Sequence, residues 1–409
     1  MTGRKKTGTT RSSKKGNAPS QRQQQQQQNN QKDLKGGRNR IETPKDDQDA
    51  QDPPKKTVYD SDPKYQQRVL DIFRRAFNDV LSSPHLTTKL QSVKQALYDR
   101  DFARAFGHAE NLDAYAARWS PTRALCYASV LCGLVDHYLE PLLSMPGKED
   151  DNDKHTAEAE ETTPSTSSQN LKIVSVGGGA AELVAAAALL HQHPSPLSTS
   201  ITLLDSGPWE DVIFKLTTAL TTPPPLSKYA SEAAKQANKP FVPPSSTLTP
   251  TFLQRDVLAL SKAELASLVG GSTTTTTPVL ITILFTLNEL FTAGGVGKTT
   301  AFLLALTSVV PPGSLLLVVD SPGSYSETSV GKEAKRYPMH WLLDRVVVDT
   351  TRKNPVGGRR WEKVESRESV WFRLPGDGAG LDYPIQLENM RFQMHLYRAE
   401  EAEEEEDES

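Results

Sequence analysis

The chain has 409 residues and a formal net charge of -3. At roughly 150 residues per domain this length allows two or three domains, but low-complexity ends and insertions predict one α/β domain with a helical attachment. The N-terminus has no apolar core, so we expect no signal peptide. Because no apolar run of about 20 residues is free of polar breaks, we expect no membrane span. Cys126 and Cys132 lie in an apolar run, which is typical of buried thiols in a reducing compartment.

Three segments have a biased composition that predicts disorder or linkers. Residues 1–57 form a basic tail whose first 40 residues hold eleven Lys or Arg against one acid, Asp33. This tail is either a solubilising segment or a nuclear import signal that also binds nucleic-acid phosphates without sequence choice. Residues 147–170 are acidic and then rich in Ser and Thr, which predicts a linker. Residues 399–409 predict an acidic, disordered tail.

Residues 58–146 predict a helical N-terminal region, because apolar residues recur there at a spacing of three to four. Within it, Ser120-Pro121 predicts that one helix ends and another begins, with Ser120 as the N-cap. Arg118, Trp119 and Arg123 surround this break. They are candidate residues for a corner that faces nucleic acid or a cofactor. The alternative is that Trp119 is a core residue and the arginines pair with local acids.

Residues 171–176 predict the first strand, and an Ala/Leu-rich helix follows from about Ala181. Three glycines separate the two elements: Gly177, Gly178 and Gly179. Strand, glycine turn and helix open a nucleotide or nucleoside pocket in an α/β sheet. Glu182 stands where the dinucleotide fingerprint has its third glycine, which favours S-adenosylmethionine (SAM) because SAM carries no phosphate. Against SAM, Ser175 stands where an acid is commoner, so a dinucleotide enzyme and a purely structural turn stay open.

Acidic residues follow the next predicted strands. The second strand, Ser200–Leu204, ends in Asp205, where an acid accepts hydrogen bonds from ribose hydroxyls. The third, Phe252–Leu258, contains Asp256, which could accept from the adenine amino group. The alternatives are a turn aspartate and an ordinary loop aspartate. Val279–Phe285 is the clearest buried parallel strand, and the residues after such a strand handle the substrate in open α/β sheets.

Two apolar segments near the C-terminus, Ser369–Leu374 and Arg391–Tyr397, predict an antiparallel hairpin. Together with a fifth parallel strand at Ser314–Val319, they complete a mostly parallel sheet with an antiparallel last strand. Residues 171–398 therefore predict a Rossmann-like sheet of the class I SAM-dependent methyltransferase type, preceded by the helical N-terminal region.

A phosphate-binding loop is the competing interpretation. Ala293–Thr300 reads AGGVGKTT, in which Lys298 would contact the β- and γ-phosphates and Thr299 would bind Mg²⁺, with Asp320 downstream. The full pattern requires glycine where Thr292 stands, and LNELF separates the loop from its strand. A P-loop ATPase therefore remains an alternative.

Seven stretches resemble the fungal SAM-dependent methyltransferases that modify N3 of a uridine in 25S (large-subunit) rRNA. They span most of residues 112–398, and AGGVGKTT lies outside them as a loop variation. The stretches are AARWSPTRAL (116–125), VSVGGGAAEL (174–183), LLDSGPW (203–209), LFTLNELF (284–291), GSLLLVVDSPGSYSE (313–327), YPMHWLLD (337–344) and YPIQLENMRFQMHLYR (383–398).

The resemblance implies SAM as methyl donor, large-subunit rRNA or its pre-ribosomal particle as substrate, and the nucleolus as location. Composition predicts no membrane partner, the reaction calls for no metal, and the sequence does not identify a protein partner. A non-catalytic RNA-binding assembly factor of the same fold stays open.

The chemistry of this reaction selects candidate residues. Uracil N3 must lose a proton before it can attack, so Glu289 is the candidate base and Asn288 the candidate partner of the uracil carbonyls. Alternatively, Glu289 caps the next helix or pairs with a basic side chain. N3 is hidden in a base pair, so the uridine must be unpaired or flipped out. Arg118, Trp119 and Arg123 could then stack on it or hold phosphates.

Overall fold

Nine strands lie in the part of the chain that the computed structural model describes. This part comprises residues 62–139, 142, 169–192, 197–242, 247–270, 277–323, 325–330, 333–378 and 380–402. The strands are β1 (Gln169–Val176), β2 (Leu197–Asp205), β3 (Thr247–Gln254), β4 (Leu280–Leu284), β5 (Leu315–Asp320), β6 (Tyr325–Val330), β7 (Glu333–Pro338), β8 (Arg359–Phe372) and β9 (Met390–Glu401).

Seven of these strands form one sheet in the order β3-β2-β1-β4-β5-β9-β8. The first five are parallel, and β9 runs antiparallel to both β5 and β8. The order reverses between β1 and β4, which is the point where open α/β sheets bind their ligands. Every residue of β4 and β5 is buried. The predicted class I methyltransferase sheet, including its antiparallel last strand, is confirmed.

The helices lie before the sheet and between its strands. They are α1 (Pro63–Ala76), α2 (Asn78–Leu81), α3 (Leu86–Tyr98), α4 (Phe102–Phe106), α5 (Ala109–Arg118), α6 (Ser120–Leu134), α7 (Ala180–Gln192), α8 (Glu210–Thr221), α9 (Glu232–Ala237), α10 (Lys262–Val269), α11 (Leu287–Glu289), α12 (Gly295–Thr307), α13 (Met339–Asp344) and α14 (Thr351–Lys353). π-Helical turns follow α6, α11 and α13 at Val135–Leu139, Leu290–Gly294 and Arg345–Thr350.

The N-terminal helices pack onto the sheet domain through α6. This helix is apolar on almost every side and lies against α7. Small residues make up the middle of α7, at 185–188, and all four are buried. Leu125 and Tyr127 of α6 share a core cluster with Leu183 of α7 and Leu203 of β2. The helical region and one face of the sheet therefore form a common hydrophobic core, which holds α5 and α6 at the edge of the sheet where the glycine turn lies.

Several predicted element boundaries were wrong. The third strand is Thr247–Gln254 and ends before Asp256, because its Thr-rich segment pairs with β2 as an edge strand, where Pro250 is tolerated. Val257 instead enters a second core cluster through a short 3₁₀ turn. Trp119, not Ser120, occupies the cap position before α6, and Ser120 is already helical.

Other predictions concern the linker, the terminal tails and an additional hairpin. Residues 169–170, predicted as the end of the linker, begin β1. The hairpin of β6 and β7 was not predicted. Residues 399–401, predicted as the start of the acidic tail, form the end of β9. The basic tail at 1–57, linker residues 147–168 and acidic tail residues 403–409 lie outside the described residues.

Among the described residues, one helical stretch, Leu287–Thr307, is long and apolar enough to cross a membrane by length and composition alone. A single stretch of this kind does not distinguish a membrane span from a helix packed on a sheet. Here Phe302, Leu303 and Leu306 of α12 belong to the second core cluster, with Ile281 of β4. The absence of a membrane partner stays a prediction.

Candidate cofactor cleft and adjoining cavity

The glycine turn passes close to two neighbouring segments. The N–H groups of Gly177 and Gly178 donate to the carbonyl oxygen of Leu204 at 2.8 and 3.3 Å, which ties the turn to the end of β2. Gly177 has a φ of 68°, and a Cβ placed on it would lie 2.1 Å from Oγ1 of Thr286. A Cβ on Gly178 would lie 2.6 Å from Cβ of Ser175. Neither position can hold a side chain without moving its neighbours.

Glu182 caps the start of α7, and its side chain lines the cleft. Its Oε2 accepts a hydrogen bond from the N–H of Gly179 at 2.8 Å, which satisfies one of the unpaired donors at the start of the helix. The side chain is only 9% exposed, and burial raises its pKa to about 7. In the sequence, Glu182 was notable only because it occupies the position of the third glycine of the dinucleotide fingerprint. Its spacing of three residues from Gly179 is the signal that could have identified it as a capping residue.

Asp205 lies at the carboxyl end of β2 and lines the same cleft. Its Oδ1 accepts from the N–H of Gly207 at 2.6 Å, and burial raises its pKa to about 6. The indole of Trp209 forms part of the wall, since a Cβ on Gly179 would lie 3.1 Å from it. The cleft has a volume of about 460 Å³, the open mouth included. Its lining residues are Phe106, Tyr115, Ser120, Arg123, Gly177, Gly179, Ala180, Ala181, Glu182, Asp205, Trp209, Leu284, Phe285, Thr286 and Glu289.

These residues fit a nucleoside such as the adenosine of SAM. Gly177 and Gly179 line the cleft without side chains, and Asp205 lies at the strand end where an acceptor for ribose hydroxyls is expected. Ser175 is fully buried, and its Oγ accepts from Oγ1 of Thr282 at 2.9 Å. Ser175 therefore joins β1 to β4. The position of Ser175 commonly holds an acid, and in this chain the carboxylate of Glu182 reaches the cleft from α7.

The end of β4 brings a carboxylate into the cleft. Phe285 has a φ of 58°, which is unusual for a bulky residue and typical of functional sites. Glu289 follows on α11 and lines the cleft. Among the described residues, its carboxylate has no hydrogen-bond or ion-pair partner. Burial, followed by the negative charge of Asp205, raises the pKa of Glu289 to about 8.

Asn288 is held by two neighbours. Its N–H donates to Oδ2 of Asp320 at 3.2 Å, and its Oδ1 accepts from the hydroxyl of Thr292 at 3.3 Å. The described residues that line the cleft and the adjoining cavity do not include Asn288. Its contact with a uracil carbonyl stays a prediction.

A second cavity adjoins the cleft and shares Arg123 and Phe285 with it. Its volume is about 520 Å³, the open mouth included. It is lined by Arg118, Trp119, Thr122, Arg123, Phe285, Glu388, Asn389, Met390 and Arg391. The structure thus brings together Arg118, Trp119 and Arg123, as the sequence predicted, and adds residues from the start of β9 and from the two positions before it.

Arg123 stands between the two cavities. It donates a hydrogen bond to the hydroxyl of Tyr115, and its guanidinium carbon lies 5.0 Å from the ring centroid of Phe285. Burial alone would lower the pKa of Arg123, but the surrounding tyrosines and carboxylates raise it, so its positive charge is permanent. Arg118 forms an ion pair with Glu388 at 2.6 Å.

Comparison with known proteins agrees with this geometry. The family model described as "Putative SAM-dependent methyltransferase" matches residues 73–398. The chain belongs to this family of SAM-dependent methyltransferases. SAM is therefore its methyl donor.

A curated relative of this methyltransferase is the 25S rRNA (uridine(2843)-N(3))-methyltransferase of Saccharomyces cerevisiae. The two are 31% identical over 360 residues, which cover 81% of this chain and 85% of the relative. Solved structures match more distantly. The 16S rRNA (adenine(1408)-N(1))-methyltransferase from Catenulisporales acidiphilia has a TM-score of 0.31 at 14% identity, covering 58% of this chain and 91% of its own. At such a low score, the fold assignment rests on the strand order of this chain.

The AGGVGKTT segment of this methyltransferase does not form a phosphate-binding loop. Such a loop presents free backbone N–H groups between a strand and a helix, but here residues 290–294 form a π-helical turn and α12 begins at Gly295. Oγ1 of the fully buried Thr299 donates to the carbonyl of Leu290 at 2.8 Å. Because Thr299 is fully buried, its hydroxyl is not open to a metal ion bound at the surface of the loop, and this counts against the ATPase alternative.

Asp256 lies at the surface of this methyltransferase. Its Oδ1 accepts from the N–H of Leu258 at 2.9 Å and so caps a 3₁₀ turn. The described residues that line the cofactor cleft do not include Asp256, and its role in adenine binding stays a prediction. Within the described residues, no group of three His, Cys, Asp or Glu side chains could hold a metal ion.

Proposed function

We propose that this methyltransferase transfers a methyl group from SAM to N3 of a uridine in 25S rRNA. The observation that carries this proposal is the similarity to the yeast uridine-N3 enzyme, which extends over 81% of this chain and 85% of the relative. The arrangement of the site supports it, because an open cavity adjoins the cofactor cleft and a carboxylate without a partner among the described residues lies in that cleft.

The residues of the cleft align the reactants. SAM, when bound, supplies an electrophilic methyl group on a sulfonium, and such a transfer gains much of its rate from alignment. The glycine turn and Asp205 hold the adenosine end, and Glu182 keeps the start of α7 in place through the N–H of Gly179.

Glu289 is the proposed base. Uracil N3 carries a weakly acidic proton, and a positioned base contributes roughly 10²–10⁴ in rate. A carboxylate whose pKa is raised to about 8 by burial is a much stronger base than an exposed glutamate. Its carboxylate is paired with no described side chain, so it is available to a substrate proton.

The second cavity is the proposed site of the target base. N3 lies on the Watson–Crick edge, so the uridine must be unpaired or flipped out to react. Trp119 and Phe285 offer aromatic surfaces for stacking, while Arg118 and Arg123 supply positive charge for phosphate or carbonyl oxygens. Asn288 remains the candidate partner of the uracil carbonyls.

The proposed substrate also suggests where the protein acts. Large-subunit rRNA or its pre-ribosomal particle is the proposed partner, and the nucleolus is the proposed location. The basic tail at 1–57 has the composition of a nuclear import signal that also binds phosphates.

Mapping of N3-methyluridine in 25S rRNA tests the proposal. We expect a strain that lacks this chain to lose one N3-methyluridine and to regain it with the wild-type chain. The Asp205→Ala and Glu289→Gln variants should fail to restore the mark at equal protein levels. Retention of every N3-methyluridine in the deletion strain would overturn the proposed substrate.

A further inference from the structure

An exposed tryptophan lies at the carboxyl end of β8. Trp371 is 49% exposed and sits directly opposite Arg391 on β9. Its neighbour Phe372 is buried in the main core, as is Phe392. Because side chains alternate across a strand, Trp371 and Arg391 share the outer face of the hairpin, and the buried phenylalanines fix that orientation.

Two arginines flank the indole of Trp371. The guanidinium carbon of Arg373 lies 4.8 Å from its ring centroid, and that of Arg391 lies 5.8 Å away. Nε of Arg391 also donates to the hydroxyl of Ser369 at 2.9 Å, which holds this side chain beside the ring. We call Trp371, Arg373 and Arg391 the Trp371 platform.

The Trp371 platform continues into the proposed base cavity. Arg391 belongs both to the platform and to the lining of the second cavity, where Met390 precedes it. That cavity in turn shares Arg123 and Phe285 with the cofactor cleft. A strand whose base enters the cavity can therefore pass over Arg391 to the exposed side chain of Trp371.

The chemistry of the platform matches a single nucleic-acid strand. An exposed aromatic ring stacks on any base, and flanking arginines neutralise phosphates, which is how single strands are bound without sequence readout. Trp341 shows that exposure alone does not create this arrangement. It is 48% exposed but stacks on Tyr337, with centroids 5.1 Å apart, and no described arginine or lysine lies over its ring.

We propose that the Trp371 platform binds an unpaired nucleotide next to the target uridine. The identity of that strand as rRNA rests on the proposed function, whereas the stacking surface rests on the geometry. Stacking on Trp371 orders the flanking strand and so helps hold the target base in the second cavity.

Binding of a labelled single-stranded oligoribonucleotide to the full-length chain tests this platform. We expect Trp371→Ala to weaken binding by roughly 5- to 150-fold, the range for loss of one base–aromatic stack, and Trp371→Phe to retain most of the affinity. Trp341→Ala is the matched control and should leave binding unchanged. Arg373→Ala should flatten the salt dependence of binding, because a phosphate contact is lost. Equal SAM affinity in all variants would show that the cleft is intact.

A methylation assay with labelled SAM and 25S rRNA separates the platform from the proposed function. If Trp371→Ala binds the oligoribonucleotide as tightly as the wild type, the platform is overturned, whatever the wild-type chain methylates. If the wild-type chain methylates no rRNA uridine but Trp371→Ala still loses binding, the platform stands and the proposed substrate is wrong. Equal losses for Trp371→Ala and Trp341→Ala would also overturn the platform.

Discussion

Replacing Glu289 with Gln separates a catalytic base from a structural carboxylate. The side chains are nearly isosteric, so the cleft should keep its shape while losing a group that can accept the proton of uracil N3. We expect methyl transfer to fall by roughly 10²–10⁴. Binding of SAM, measured by calorimetry, should change little, because Glu289 is proposed to act on the uracil.

The pKa of Glu289 sets the expected pH dependence. With a pKa of about 8, about one-tenth of the carboxylate is ionised at pH 7 and about nine-tenths at pH 9. The wild-type rate should therefore rise about tenfold between pH 7 and pH 9 and level off above pH 8. Without the base, Glu289→Gln can react only through the uracil N3 anion, so its rate should keep rising with pH and show no inflection near pH 8.

Single-turnover rates at saturating SAM and rRNA fragment measure both pH profiles. Glu264→Gln is a suitable control, because Glu264 is an exposed capping residue of α10 whose pKa is lowered by hydrogen bonds from Ser261. It should leave the profile unchanged. A wild-type rate for Glu289→Gln, or the same pH profile for both proteins, would refute the assignment of Glu289 as base.

The same substitution should stabilise the fold at high pH. Burial raises the pKa of Glu289 from about 4.5 to about 8, so its favourable contribution is complete below about pH 4.5 and is lost as pH rises through 8. Urea denaturation should show Glu289→Gln to be more stable than the wild type at pH 9, by roughly 5 kcal/mol, and about equal at pH 4. Equal stability at both pH values would show that the carboxylate is not desolvated.

Three further predictions concern the surroundings of the cleft. Gly177→Ala should abolish SAM binding measured by calorimetry. Gly358→Ala is the control, because Gly358 also has a positive φ, of 70°, but has open space around its Cβ. This control should cost only about 1 kcal/mol of stability and leave SAM binding intact. Lys298→Ala should keep the wild-type affinity for SAM and the wild-type methylation rate, and the wild-type chain should bind no ATP. Loss of an ATP-dependent activity in Lys298→Ala would support the ATPase alternative. Glu388→Gln should free Arg118 and tighten RNA binding about two- to fivefold at low salt, and weaker binding would contradict a role for Arg118 in holding phosphate.

Local patterns were enough to predict the sheet. The run Val279–Phe285 is apolar in all but one position, which a strand buried on both faces requires, and it becomes β4 at Leu280–Leu284. The hairpin at the C-terminus could be predicted from its β-branched and aromatic content, although β8 begins at Arg359, ten residues before the predicted start. The first residues of β8 carry many charges and lack an apolar pattern, so they adopt a strand because they pair with β9.

Part of the site also follows from local sequence. The glycine turn and Asp205 lie close together because parallel strands place their carboxyl ends at one edge of a sheet, and spacing along the chain suffices to predict that. Asp256 shows the limit of this argument. A shift of four residues in the end of β3 puts its carboxylate on a surface turn instead of the cleft wall.

By itself, the sequence determined the main strands of the sheet, the glycine turn and the presence of an acid at the end of β2 and after β4, because these depend on patterns within about ten residues. Only the tertiary structure decided which side chains meet across long separations. Arg123 of α6 reaches Phe285 after β4, Arg118 reaches Glu388, and Arg391 joins the second cavity to Trp371. These contacts arise because α6 packs on α7 and β9 inserts beside β5, and no local pattern encodes the distance between elements that fold together from opposite ends of a chain.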